Sequence, residues 1–185
     1  MARPTFVKHA RKPIKEIGVK VGDSYWWWKF RFGGKRVSKE RPKRSQLTQS
    51  SFLSSLYDIE DDMIGGAEAG EGLADVRDEI VSALEELRDQ CQESRDNMPE
   101  ALQDAPTGEM LGERVDALEN AISEFQDLEL DEPDEDSLDI DEVEREPGET
   151  NEDFEQRQAE AKQEAVDAYW ASKLEELQGI SIDAS

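Results

Sequence analysis

The sequence predicts an α+β fold: a small N-terminal three-stranded antiparallel sheet with a covering helix, then an antiparallel helical hairpin and a C-terminal helix. Three observations predict it. Over residues 17–39, β-branched and aromatic residues fall in short runs separated by Gly-Asp and Gly-Gly, as in a β-meander. From Leu73 to Phe125 apolar residues advance by threes and fours, the period of amphipathic helices. The charge also changes sign along the chain. Residues 1–45 hold 14 Lys/Arg against Glu16, Asp23 and Glu40, a net of +11, while the remaining 140 residues carry −35. Such asymmetry points to modules with different partners.

The elements follow in order. Residues 1–16, with Pro4, Pro13 and scattered cations, read as an irregular basic arm. Residues 17–64 read as a basic sheet-plus-helix module. Its strands are I-G-V-K-V, S-Y-W-W-W-K-F-R-F and K-R-V-S-K, with Gly33-Gly34 as a two-residue hairpin loop and Pro42 ending the sheet. Its helix starts at Ser45 as N-cap and carries Leu53, Leu56, Ile59 or Glu60, and Met63 at helical spacing beside Phe52, a face that can cover the sheet. Residues 73–129 read as the hairpin. One stripe is Leu73, Val76, Ile80, Leu84, Leu87 and Cys91; the other, capped by Thr107, is Leu111, Val115, Leu118, Ile122 and Phe125. Each seam spans only about three heptads, so a second copy could pair with the hairpin as a homodimer; packing onto the sheet module is the alternative. Residues 130–150 are an acidic linker in which Leu138, Ile140 and Val143 could form a contact motif. Residues 151–179 form the last helix, capped by Thr150 or Asn151, with Val166, Trp170, Leu174 and Leu177 on one side.

Strand alternation places Trp26, Trp28, Phe30 and Phe32 on a core face, and Tyr25, Trp27, Lys29 and Arg31 on the opposite one. The second set interleaves rings with cations, the chemistry that grips single-stranded nucleic acid by stacking and phosphate contact. With Gly33-Gly34 as the loop, Arg31 would face Arg36. Two like charges so placed repel, and a bound phosphate would relieve them. Arg41, Lys43 and Arg44 continue the basic stretch. These eight residues (Tyr25, Trp27, Lys29, Arg31, Arg36, Arg41, Lys43 and Arg44) are the candidate nucleic-acid or partner-binding set. Exposed cations on a small sheet are also commonly no more than solvated, and Trp27 could pack beneath the arm or against a helix.

Other chemistries find little support. One cysteine and one histidine allow neither an internal disulfide nor a Cys/His zinc site. Cys91 on an apolar stripe reads as a buried structural thiol. No phosphate-binding glycine loop, metal-ligand spacing or nucleophile–base pair is present, so no enzyme, cofactor or metal is expected. No apolar run approaches the roughly 20 residues that span a bilayer, so a soluble cytoplasmic protein without a membrane partner is expected.

Two stretches resemble a known group. G-D-S-Y-W-W-W-K-F-R-F-G-G-K-R-V-S-K, followed by R-S-Q-L-T-Q-S-S-F-L-S-S-L-Y, is similar to the start of small proteins of tailed bacteriophages and prophages whose function is unassigned. C-Q-E-S-R-D-N-M-P-E-A-L-Q, with G-E-M-L-G-E-R-V-D-A-L-E after it, resembles their middle, so the likeness covers residues 22–125. It implies a viral protein in the host cytoplasm and carries no functional residue. At fold level only, the sheet-plus-helix module is similar to the DNA-binding domains of phage integrases and plant AP2 factors. The expected function is a non-enzymatic phage accessory protein touching nucleic acid through the sheet, with the hairpin for dimerisation or docking. The alternative is an inhibitor of a host or defence protein, acting as a DNA mimic through its acidic surface. Capture of a small nucleotide by Trp27, Lys29 and Arg31 across a dimer is a third option.

Overall fold

The tryptophan run lies in the middle strand of the sheet, whose order is β1-β2-β3: β1 is Thr5–Val7, β2 Tyr25–Lys29 and β3 Lys35–Ser38. Both pairings are antiparallel. Thr5 lies opposite Trp27 and Val7 opposite Tyr25, while Trp26, Trp27, Trp28 and Lys29 face Ser38, Val37, Arg36 and Lys35. The computed structural model describes residues 1–134, 138, 140, 145, 147 and 150–184, and the chain divides into two compact units, Met1–Asp62 and Met63–Ala184.

The first strand is not the expected 17–21 segment. Lys15–Ile17 forms a 3-10 turn, and Gly18 then adopts a left-handed conformation at φ 63° that returns its N–H to the Lys15 carbonyl. That reversal stops an extended run, leaving one isolated bridge between Ile14 and Val19. The supposed arm supplies β1 instead, through the β-branched and aromatic triplet T-F-V. The hairpin loop also differs. It spans residues 30–34, closed by the Gly33 N–H on the Phe30 carbonyl at 3.4 Å, and neither Gly33 nor Gly34 has positive φ. Arg31 therefore never pairs with Arg36.

The helix of this unit is shorter than expected and starts later. Ser45–Leu47 is a separate 3-10 turn, Thr48 is extended, and α1 runs Ser51–Asp58. Ser50 is the cap, its hydroxyl accepting from the Leu53 N–H at 3.3 Å. The string S-Q-L-T-Q-S-S offers several capping hydroxyls, and the one in extended geometry beside the apolar run prevails. Phe52, Leu56 and Tyr57 are buried from α1, and a π-helical turn Ile59–Ile64 follows. The Ala2 N–H bonds to the Leu47 carbonyl at 2.7 Å, fastening the N-terminal residues to the segment before α1. Because Asp58 and Glu60–Asp62 belong here, this unit carries +7 and residues 63–185 carry −31.

In the second unit the expected hairpin forms. Helix α2 spans Leu73–Asp96, α3 is the single turn Glu100–Gln103, and α4 spans Pro106–Gln126. The stripes of α2 and α4 pack together, burying Leu73, Ile80, Leu84, Leu87 and Cys91 with Leu111, Val115, Leu118, Ile122 and Phe125. Val76 is half-buried. Cys91 is buried as expected, and that burial pushes its thiol pKa up, against a smaller opposing effect of Arg114. Thr107 is not the cap of α4. Pro106 takes the first helical position, where its fixed φ fits and its missing N–H costs nothing.

At Gly108 a Cβ would stand 2.1 Å from the Gln103 carbonyl oxygen, so the α3 backbone occupies the space of a side chain. The Gly108→Ala variant should lose about 2–3 kcal/mol of stability, as overpacked cores do. Urea unfolding followed by helical circular dichroism measures it; an unchanged midpoint would mean that the α3 turn yields freely.

Beyond α4, the Arg77 guanidinium donates to the Leu128 carbonyl at 3.0 Å and Leu130 is buried. Much of the acidic linker, with Val143 of its Leu138/Ile140/Val143 motif, lies outside the described residues. Helix α5 runs Asn151–Gly179, with Thr150 accepting from the Asp153 N–H at 3.2 Å. Trp170 and Leu177 are buried, and Val166 and Leu174 half-buried. The Tyr169 hydroxyl donates to the Asp131 carbonyl at 3.0 Å and the Gln178 amide to the Ile64 carbonyl at 3.2 Å, so α5 is tied to chain on both flanks of the hairpin. Among the described residues no helix is long and apolar enough to cross a membrane.

Candidate nucleic-acid interface

Register assigns the faces of the sheet. Thr5, Val7, Tyr25, Trp27, Lys29, Lys35 and Val37 share one; Phe6, Trp26, Trp28, Arg36 and Ser38 share the other. The expected division of β2 therefore holds as far as Lys29. On the second face Trp28 is buried and Trp26 rests on Phe6, their ring centroids 4.9 Å apart. Phe30 is half-buried, but Phe32 is 84 % exposed, because β2 ends before it and the alternation no longer applies.

The first face concentrates cations at the hairpin end. Lys29 lies directly opposite Lys35, a like-charged pair that disfavours the sheet unless something anionic sits over it. Extending the β1–β2 register by two residues brings Arg3 opposite Lys29 on its other side. Arg3, Lys29 and Arg31 line one cleft of about 440 Å³ together with Met1, Phe30 and Thr48. Among the described residues none of Arg3, Lys29, Arg31 and Lys35 has a carboxylate within ion-pair distance. The repulsion anticipated between Arg31 and Arg36 thus occurs between Lys29 and Lys35.

Trp27 is half-buried, and the Lys35 ammonium stands 4.6 Å from its ring centroid. A base stacking on that ring would displace the lysine, whose charge could then move onto the adjoining phosphate. Tyr25 is half-buried on the same face. Arg31 extends from the loop with its guanidinium 5.1 Å from the Phe32 centroid.

The remaining predicted residues are elsewhere. Arg36 belongs to the opposite face, and Arg41 is exposed beyond β3. Lys43 and Arg44 are engaged within the unit. The Lys43 ammonium bonds both Asp62 carboxylate oxygens at 2.7 and 2.8 Å. Arg44 reaches Asp61 at 3.0 Å and Glu60 at 2.9 Å, with its guanidinium 4.2 Å from the Tyr57 centroid. Donating to the Asp62 carboxylate raises the Lys43 pKa; for Arg44, burial opposes the charge and the attraction of Asp61 and Glu60 outweighs it. Two of the eight candidate residues are therefore already neutralised by carboxylates 16–19 positions on. Arg3 and Lys35 were missed. Lys35 became visible only with the true register, and Arg3 only once T-F-V is read as a strand.

The chain matches no protein-family model, no characterised protein and no solved structure. What the site can do rests on its own chemistry: a row of cations without carboxylate partners among the described residues, beside a tryptophan on the end of a small sheet.

Proposed function

We propose that this is a non-enzymatic accessory protein of a tailed bacteriophage, acting in the host cytoplasm and binding nucleic acid through the hairpin end of its N-terminal sheet. The helical hairpin would be its dimerisation or docking module; Leu102 and Met110, both exposed beside the α3–α4 junction, are suited to that use. The carrying observation is the Arg3–Lys29–Lys35 row with Arg31, four cations lacking acidic partners among the described residues. Trp27 beside them supplies a ring, which favours unpaired bases over duplex.

Titration of the full chain with a fluorescein-labelled single-stranded decamer, read by anisotropy, tests the proposal. Four phosphate contacts would release counterions with a slope near −3 in log affinity against log salt, about a 50-fold loss between 50 and 200 mM. A slope near zero, or no binding at 50 mM, would overturn it. A second reading is favoured by exposed carboxylates along α2, among them Asp75, Glu79, Glu86 and Glu93. They would suit a DNA mimic that inhibits a host or defence protein. Absent oligonucleotide binding, together with a host complex lost on neutralising the acids of residues 127–146, would place the function there.

A further inference from the structure

A second cleft, of about 400 Å³, adjoins the cationic one. It is lined by Trp28, Phe30, Arg36, Val37, Ser38, Gln46 and Thr48. Phe30 and Thr48 line both clefts, so the two adjoin at those residues, the second on the Trp28–Arg36–Ser38 face of the sheet and the first taking in Lys29 at the hairpin end. The 46–49 segment is held in place: Ala2 bonds the Leu47 carbonyl, and the Ser54 hydroxyl donates to the Ser45 carbonyl at 3.2 Å.

Each polar side chain of this second lobe has a hydrogen to donate. The Gln46 amide oxygen already accepts from the Lys43 N–H at 3.2 Å, leaving its NH₂. The Ser38 hydroxyl accepts from the Glu40 N–H and the Thr48 hydroxyl from the Ser50 N–H, leaving each its proton to donate. Arg36 adds a guanidinium, which can only donate. Trp28, which forms part of the wall, has a buried indole N–H with no acceptor among the described residues. An aromatic wall beside the Arg36 guanidinium and the Gln46 NH₂ suits a flat ligand that presents an acceptor to them.

We propose that this lobe receives one base of the bound strand and selects keto bases, thymine, uracil or guanine, over cytosine and adenine. The proposal rests on the nucleic-acid function above and assigns it a specificity. The phosphates lie against Arg3, Lys29 and Arg31 in the first lobe, and the base turns past Phe30 into the second. There a carbonyl oxygen, O4 of thymine or O6 of guanine, accepts from the Arg36 fork and the Gln46 NH₂. Cytosine N4 and adenine N6 carry amino hydrogens at the corresponding position. These would meet donors and leave both sides unsatisfied.

The test is binding of the full-length protein to dT₁₀ and dC₁₀ by anisotropy at 50 mM salt. Both are unstructured pyrimidine decamers of equal charge, so the salt-dependent part cancels. The wild type should prefer dT₁₀ by about fivefold or more, the lower range for one good bidentate contact. Gln46→Ala and Arg36→Lys should bring the ratio close to one; Arg36→Lys keeps the charge and removes the fork, so its salt slope should not change. Equal binding of the two decamers, a preference for dC₁₀, or a dT₁₀ preference untouched in both variants would overturn the base-selecting lobe while leaving the nucleic-acid proposal standing. Binding of neither decamer would overturn both.

Discussion

Phe125→Ala is expected to destabilise the helical unit by about 3–5 kcal/mol, the cost of emptying a large aromatic site in a packed core. Phe125 is fully buried at the C-terminal end of α4 and, with Leu73, Ile80 and Leu118, is among the most completely enclosed side chains of the hairpin. The loss combines the transfer free energy of the ring with the cavity left where the two helices meet. Against a typical net stability of about 5–15 kcal/mol, it would leave the hairpin close to unfolding at body temperature. Circular dichroism at 222 nm in urea reports this unit, because α2, α4 and α5 hold most of the helix. A loss below about 1 kcal/mol would mean that the α2–α4 seam is not packed as described.

The second large effect is on binding. Arg3→Glu/Lys29→Glu/Arg31→Glu should lower the affinity for a single-stranded decamer by about a thousandfold at 50 mM salt. Three phosphate contacts are lost, each contributing nearly a factor of ten at that ionic strength, and repulsion is added. The single change Lys29→Glu separates binding from folding. It converts the Lys29–Lys35 juxtaposition into an opposite-charge cross-strand pair, so the sheet should gain about 0.2–1 kcal/mol while affinity falls. A variant that is more stable and binds worse cannot owe its defect to misfolding. If the triple variant binds like the wild type, the cationic row is not the contact surface.

The helices of the second unit could be read from the sequence because their signal is local and repeated. Leu111, Val115, Leu118, Ile122 and Phe125 each restate the same face, and all five are buried. The sheet was legible in kind and strand number but not in detail. β1 is three residues long, lies in a proline-bearing basic segment, and is fixed by pairing with residues about twenty positions away. Nothing local distinguishes T-F-V from V-K-V; the left-handed turn at Gly18 decides against the latter. Register was misjudged for a related reason. Gly33-Gly34 has the composition of a two-residue loop, yet the chain turns from Phe30 onward, and a loop of five residues changes every cross-strand partner. The cations most nearly neutralised, Lys43 and Arg44, could not be told from Lys29 and Arg31 by sequence, because their acids arrive from the turn after α1.

The division of charge between the units has a consequence for how salt acts. Fields reach about 30 Å in 10 mM salt but only about 10 Å in 100 mM. As salt is lowered, screening weakens for the −31 of residues 63–185 as well as for the +7 of residues 1–62, and the larger charge repels an anionic strand. The affinity that climbs as salt is lowered from 200 to 50 mM should therefore level off or reverse below about 20 mM. The protein would then hold its ligand best at an intermediate ionic strength, a window set by the reach of its own negative charge.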